Sequence, residues 1–182
     1  MILKAIRVTR RAVGFIGIAL VVSLIGFSLF TRIVPMTGRQ LFIVGGGSME
    51  PSVPIGSLVI VSRTDPMTVA VGDVLTIRAD NGVVFTHRVS RVVDLTEGRF
   101  FETKGDANQT PDGALVPARA IVGEAAQYVP LAGYAQGFLS KLPGVVAALS
   151  LLGTLLLLYL LLEMLEEPTG PVSTQARDPI WQ

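Results

Sequence analysis

Two long uncharged runs constrain the fold of this chain more than any other feature. Residues 12–30 are 19 consecutive uncharged, mainly apolar positions, and residues 143–162 are 20 more. A helix of either length rises about 28–30 Å, enough to cross the hydrocarbon core of a bilayer. A cleaved signal peptide is the alternative for the first run, but its apolar region would be shorter. A buried core helix is the alternative for the second, which is apolar on every face and therefore favours a span.

Basic residues near the first run predict the orientation of both spans. Four cations, Lys4, Arg7, Arg10 and Arg11, precede this run, and two, Arg32 and Arg39, follow it. The positive-inside rule then places the N-terminus in the cytoplasm, although Lys141 weakly opposes this orientation. We predict a multi-pass membrane protein, in the plasma membrane if the source is prokaryotic. Its expected parts are a cytoplasmic N-terminus (1–11), a transmembrane helix (12–31), an extracytoplasmic β-rich domain (32–140), a second transmembrane helix (141–163) and a disordered cytoplasmic tail (164–182).

The segment between the spans is typical of β-structure. Short β-branched or aromatic runs alternate with Gly, Pro, Asp and Asn, and Asn81-Gly82 is a hairpin signal. The runs are LFIV (41–44), SLVIV (57–61), DVLTIRA (73–79), GVVFTHRVSRVV (82–93), GRFFETK (98–104) and AIVGEAAQYV (120–129). They predict a mainly β, compact domain held between two transmembrane helices. Residues 128–142 fit either a final core strand or a surface that rests at the membrane interface.

Composition excludes several kinds of chemistry. The chain has no cysteine, so disulfides, thiolate nucleophiles and cysteine metal sites are excluded. It has one histidine, His87, which excludes sites built from several histidines. The net charge is +1 and no basic face stands out, so we expect no nucleic-acid partner. We also expect no metal and no organic cofactor.

The remaining polar residues suggest nucleophilic catalysis. Ser48 lies in the glycine-rich stretch GGGSMEPS (45–52). Strand alternation places His87 on the same face as Val83, Phe85 and Val89, so it could be a core histidine or a general base. Asp106 and Asp112 lie in the loop TKGDANQTPDG (103–113), where turn formation and, with Asn108, calcium binding are alternatives. A serine, a histidine and an aspartate together supply nucleophile, base and orienting acid.

Five segments in this order resemble type I signal peptidases, in the branch found in the endoplasmic reticulum, in archaea and in some Gram-positive bacteria. The matching segments are GGSMEPS, GDVLTIR (72–78), FTHRVSRV, TKGDANQTPD and IVGEAAQYVPLAGY (121–134). The resemblance covers roughly residues 12–162. It implies the signal-peptidase type of β-domain between the two transmembrane helices.

The resemblance also implies roles for individual residues. Ser48 would be the nucleophile, His87 the general base and Asp112 the orienting carboxylate, while Asp106 would be a second essential acid that holds the loop or the site. The sequence does not settle which aspartate contacts His87. Gly46, Gly47 and Met49 are expected beside the oxyanion or the substrate, with backbone N–H groups such as that of Ser48 stabilising the oxyanion. A Ser–Lys dyad through Lys104 is disfavoured, because histidine occupies the position of the base.

The implied function is that of a membrane-bound serine endopeptidase. It would remove signal peptides from secreted precursors after small residues in an Ala-x-Ala-like pattern. Its partners would be precursor proteins and the lipid bilayer, and it could require accessory subunits. One alternative is a non-catalytic, membrane-anchored β-domain that acts as an assembly partner. Another is a self-cleaving repressor-type protease, which would require a lysine base and no membrane spans.

Overall fold

Residues 1–166 are described by the structure, a computed structural model, and they form three α-helices and seven strands. The predicted disordered tail lies, from residue 167 onward, outside the described residues. The elements are α1 (Ile2–Met36), β1 (Gln40–Ile43), β2 (Leu58–Ser62), β3 (Val74–Arg78), β4 (Val84–Leu95), β5 (Gly98–Lys104), β6 (Val116–Pro117), β7 (Ile121–Val129), α2 (Ala132–Leu139) and α3 (Leu142–Leu165). The chain divides into two units, one of residues 1–23 with those from Leu149 onward, and the other of Leu24–Ala148.

Helices α1 and α3 are both long and apolar enough to cross a membrane. α1 begins at Ile2, so residues predicted as a cytoplasmic N-terminus continue the helix of the first apolar run. α3 extends to Leu165, two residues beyond the predicted boundary. These differences have a simple cause, because hydropathy detects the apolar part of a helix and not its polar ends.

In the first unit, charged residues that flank the two apolar runs form ion pairs with each other. The Arg10 guanidinium lies 3.2 Å from a carboxylate oxygen of Glu163 and 2.9 Å from one of Glu166. The same guanidinium lies over the ring of Tyr159, 5.6 Å from its centroid. Arg10 precedes the first run and Glu163 follows the second. The two helices therefore run antiparallel, with the start of one beside the end of the other.

The second unit contains one curled antiparallel sheet, in which the strand order is β1-β2-β7-β3-β4-β5-β6. All six predicted strand segments are strands, so the mainly β prediction is confirmed. β6 was not predicted, because two residues are too few for a pattern. The Asn81-Gly82 hairpin is also confirmed: it joins β3 to β4, and Gly82 has a φ of 82°, which glycine adopts without steric cost.

Two apolar clusters form the interior of the sheet. The first lies among β3, β4 and β5 and includes Leu75, Ile77, Val89 and Phe101. The second joins β2 to the segment after β1 and consists of Met49, Val53, Val59 and Val61. Residues 42–46 and residues 84–86 line one small cavity although β1 and β4 are not neighbours in the sheet. The curl of the sheet therefore brings the segment after β1 close to β4.

Residues 128–142 are only partly a strand. β7 ends at Val129, and the short helix α2 follows. Three large apolar side chains of this region are more than half exposed, those of Leu131, Tyr134 and Phe138. Of the two alternatives that the sequence left open, a final core strand is wrong for residues 130–142.

Candidate active site

Ser48 lies in the long connection between β1 and β2, and the core holds this connection on both sides of the serine. Met49 is 2% exposed and packs with Val53 in the second apolar cluster. Two backbone hydrogen bonds close the base of the connection, from Val44 N–H to Ser57 O and from Gly56 N–H to Val44 O, both at 2.9 Å. A flexible sequence thus acquires a fixed position, because its apolar residues are buried.

His87 projects from β4 into the space beside Ser48. The residue is 9% exposed, and its ring packs edge-on against the ring of Phe85 with centroids 5.1 Å apart. Its Nε2 lies 3.0 Å from Ser48 Oγ, within hydrogen-bonding distance. The sequence left a core histidine and a base as alternatives. The structure gives His87 a half-apolar environment and a direct contact with a hydroxyl group.

Asp112 contacts the other nitrogen of the same ring. Its Oδ2 lies 2.6 Å from His87 Nδ1, and it also accepts a hydrogen bond from Thr103 Oγ1 at 2.6 Å. A carboxylate can only accept, so Nδ1 carries a proton and Nε2 of the neutral ring is left as an acceptor. The hydroxyl of Ser48 can therefore donate to Nε2, which is the arrangement that general-base catalysis requires.

Thr103 also belongs to this site, although it is not among the residues predicted from the sequence. It is fully buried in β5, where it alternates with buried Phe101. Its carbonyl accepts the N–H of Asp112 at 2.7 Å while its hydroxyl donates to the carboxylate. A buried hydroxyl needs a partner. The alternation of buried and partly exposed residues along β5 is therefore a usable signal. It places the side chain of Thr103 in the interior, at the start of the acidic loop.

Asp106 does not contact His87, and its partner is Arg88. Arg88 Nε and Nη2 donate to the two carboxylate oxygens at 2.8 and 2.6 Å, and Nη1 donates to the carbonyl of Gly72 at 2.8 Å. The hydrogen bonds from Arg88 hold the pKa of Asp106 below its usual range; burial opposes this shift and the hydroxyl of Ser52 adds to it. The same pair raises the pKa of Arg88. Asp106 is thus an ionised structural partner of the strand that carries His87.

The residues on either side of Asp106 contact the backbone of Ser48. Ala107 N–H donates to Ser48 O at 2.8 Å. A Cβ added to Gly105 would come within 2.5 Å of that carbonyl oxygen and 3.0 Å of Ser48 Cβ. Only glycine allows this approach, because no side chain fits between the two loops. The acidic loop therefore acts as a support for the serine.

The three residues expected beside the oxyanion or the substrate differ in their surroundings. Gly46 and Met49 line a cavity of about 150 Å³ next to Ser48, together with Phe42, Val44 and Phe85. Gly47 faces the side chains of Ile55 and Glu50 instead. Met49 is mainly a core residue. Within residues 1–166, no hydrogen bond uses the Ser48 N–H as its donor, so this group remains available to a bound oxygen.

Curated proteins that are similar to the chain include two signal peptidases. Signal peptidase I W of Bacillus subtilis (strain 168) is 39% identical over 80 residues, which cover 43% of this chain and 42% of that protein. The signal peptidase complex catalytic subunit sec11 of Penicillium rubens is 32% identical over 120 residues, which cover 61% of this chain and 68% of that protein. The chain belongs to the signal peptidase I family. No protein-family model matches it.

Both relatives are named as signal peptidases or as a subunit of one. The chain spans about two fifths of the length of the Bacillus relative and about two thirds of the Penicillium relative. The second relative is named as the catalytic subunit of a complex. In this signal peptidase I homologue, the contact with the serine hydroxyl comes from a histidine.

Proposed function

We propose that the protein is a membrane-bound serine endopeptidase that removes signal peptides, with Ser48 as nucleophile, His87 as general base and Asp112 as orienting acid. The observation that supports this most directly is the chain of two contacts, 3.0 Å from Ser48 Oγ to His87 Nε2 and 2.6 Å from His87 Nδ1 to Asp112 Oδ2. A lone serine alcohol is a weak nucleophile. A base held by a third group activates it.

In the proposed reaction, Ser48 Oγ attacks the carbonyl carbon of the scissile peptide bond while its proton moves to His87 Nε2. The imidazolium that forms is stabilised by Asp112, which accepts the hydrogen bond from Nδ1. His87 then gives the proton to the leaving amine, and an acyl-enzyme remains on Ser48. A water molecule, deprotonated by His87, hydrolyses the ester and restores the hydroxyl. No metal or organic cofactor takes part.

We expect small residues before the cleavage site, as the family resemblance implies. The cavity of about 150 Å³ lies against Ser48 and has apolar walls that include Phe42, Met49 and Phe85. These apolar walls suit an uncharged side chain such as that of alanine. The free N–H of Ser48 is a suitable donor for the oxyanion. We expect the precursor to lie extended next to the edge strand β1, where backbone groups are unpaired.

The helices support a location at the membrane. α1 and α3 run antiparallel and their flanking charges pair, as expected of two spans whose outer ends lie on one side of a bilayer. We propose that this side is cytoplasmic and that the β-domain is extracytoplasmic. The exposed Leu131, Tyr134 and Phe138 directly precede α3, which suits contact with the interfacial region of the lipid. Substrates would then arrive by lateral diffusion.

The test is precursor cleavage by the purified, detergent-solubilised chain. The substrate is a secretory precursor with an Ala-x-Ala site, and the variants are Ser48→Ala and His87→Ala, with Ser90→Ala as a matched surface control. We expect cleavage at that site by the parent protein and by Ser90→Ala, and a loss of at least about 10³-fold in the other two. Circular dichroism should show that all variants are folded. Near-parental cleavage by Ser48→Ala would disprove the mechanism, and no cleavage by any form would favour the non-catalytic alternative.

A further inference from the structure

The ion pair between Arg88 and Asp106 lies next to both the base and the nucleophile in the chain fold. Arg88 directly follows the base His87 along β4, and Asp106 lies between the two residues that contact the backbone of Ser48. A planar guanidinium that binds both oxygens of a carboxylate fixes orientation as well as distance. The pair thus connects the strand of the base with the loop that supports the nucleophile.

The connection extends beyond two side chains. Nη1 of Arg88 donates to Gly72 O at 2.8 Å, which ties the guanidinium to the turn before β3. On the other side of the ion pair, Ala107 N–H donates to Ser48 O at 2.8 Å. Three backbone segments therefore meet at one ion pair, the turn before β3, β4 and the acidic loop, and the acidic loop in turn contacts the segment of the nucleophile. A change in the pair would alter the spacing of these segments.

We propose that Arg88 is a positioning residue that acts through Asp106 to set the distance between Ser48 Oγ and His87 Nε2. This inference rests on the proposed function, because the distance matters only if the two groups exchange a proton. Arg88 touches neither the serine nor the imidazole in this role. Its guanidinium holds Asp106, Asp106 holds Gly105 and Ala107, and these two residues hold the backbone of Ser48.

A second ion pair of the same chain provides a matched control. Arg99 Nε and Nη2 donate to the two oxygens of Asp94 at 2.7 and 3.1 Å, and Nη1 donates to the carbonyl of Met67 at 2.7 Å. The contacts are of the same kind as those of Arg88: a bidentate ion pair with an aspartate and a hydrogen bond to a backbone carbonyl. This pair joins the opposite ends of β4 and β5 and does not touch the loop of Ser48.

The experiment compares Arg88→Gln, Arg88→Lys and Asp106→Asn with Arg99→Gln in the full-length, detergent-solubilised protein. Initial rates of cleavage of an Ala-x-Ala precursor give kcat and KM, and circular dichroism gives the folded fraction. We expect Arg88→Gln to lower kcat per folded molecule by on the order of 10–100-fold, the size of effect that a small misplacement of reacting groups produces. KM should stay within about threefold of the parental value. Arg88→Lys should retain part of the rate, and Arg99→Gln should retain all of it.

The double variant Arg88→Gln/Asp106→Asn separates positioning from two independent effects. If Arg88 acts through Asp106, the double variant should be no slower than the slower single variant, whereas independent effects would multiply. Three results would each overturn the proposal. They are single-variant effects that multiply, a smaller folded fraction with unchanged kcat per folded molecule, and an equal loss of kcat in Arg99→Gln. If Arg88→Gln does not fold, Arg88→Lys gives the same comparison. Ser48→Ala, measured in parallel, shows separately whether the proposed peptidase activity is present.

Discussion

The two ends of the β4–β5 hairpin have similar side chains and different surroundings. At the end near Ser48, His87, Arg88 and Thr103 have buried or half-buried partners from the acidic loop. At the far end, Arg99 pairs with Asp94, whose side chain is mostly exposed. Both ends contain an Arg–Asp ion pair in which the guanidinium donates to both carboxylate oxygens.

The difference between the ends shows that residue type does not identify a site. The near end differs in connectivity, because each polar group there contacts a group that contacts another: Thr103 binds Asp112, Asp112 binds His87, and His87 binds Ser48. The far end has one local ion pair, whose carboxylate is mostly exposed to solvent. A mutation at the near end should therefore change the geometry of a reaction, whereas one at the far end should change stability alone.

The largest contrast is expected between Asp112→Asn and Asp94→Asn. An asparagine amide at position 112 can donate to His87 Nδ1, which would move the ring proton to Nε2 and leave no acceptor for the Ser48 hydroxyl. We expect kcat for precursor cleavage to fall by about 10³–10⁴-fold in Asp112→Asn. Asp94→Asn should cleave at the parental rate. An Asp112→Asn enzyme within tenfold of the parent would show that the carboxylate does not set the tautomer.

The next contrast uses two glycines, Gly105 at the near end and Gly98 in the far turn. A Cβ at Gly105 would press on Ser48 O, so Gly105→Ala should displace the serine and lower activity per folded molecule by about 100-fold. A Cβ at Gly98 meets open space, but the φ of 129° strains any other residue. Gly98→Ala should cost roughly 1–2 kcal/mol of unfolding free energy. Its activity per folded molecule should not change, and equal losses of activity in both variants would remove the distinction.

The sequence was most informative where a pattern repeats over many residues. Uncharged runs predicted α1 and α3, and β-branched runs predicted six strands, because each pattern reflects one environment sampled at every turn or every second residue. Motif order also selected Ser48, His87 and the two aspartates. Sequence patterns fail for elements that are too short to show a period. β6 has two residues, and the eight residues of α2 include apolar side chains that also fit a strand.

Contacts between distant segments were beyond the sequence. Nothing in TKGDANQTPDG indicates that Asp106 points to Arg88 and Asp112 to His87, since both lie in one loop and both could reach the base. Met49 follows the nucleophile and was expected near the substrate, but its side chain packs mainly in the core. The direction of a side chain in an irregular segment depends on tertiary packing, which has no periodic signature.

A smaller contrast is expected between Thr103→Val and Ser90→Ala. Valine has nearly the shape of threonine, so the first change removes one hydroxyl donor from Asp112 with little change in packing. Hydrogen bonds to charged groups are worth about 1.5–3 kcal/mol. We expect kcat to fall by about tenfold because Asp112 is held less firmly, with KM nearly unchanged. Ser90→Ala should leave both constants unchanged, and a parental rate in Thr103→Val would exclude a role of this hydroxyl.

The smallest contrast concerns the stability of the fold at low pH. Because the pKa of Asp106 is lower in the folded state than its ordinary value of about 4, the pair with Arg88 stabilises the fold at pH values above 4. That stabilisation is lost as the pH falls below 4, through the lowered pKa. Asp106→Asn should therefore unfold about 1 kcal/mol more easily than the parent at pH 7, a value at the upper end for partly exposed pairs. The two proteins should converge when thermal unfolding is measured near pH 2.

Asp94→Asn should differ less from the parent at pH 7, since Asp94 is exposed to solvent and its attraction to Arg99 is screened. A difference for Asp106→Asn that persists undiminished at pH 2 would mean that the amide disturbs packing and that the charge of Asp106 is not what holds the loop.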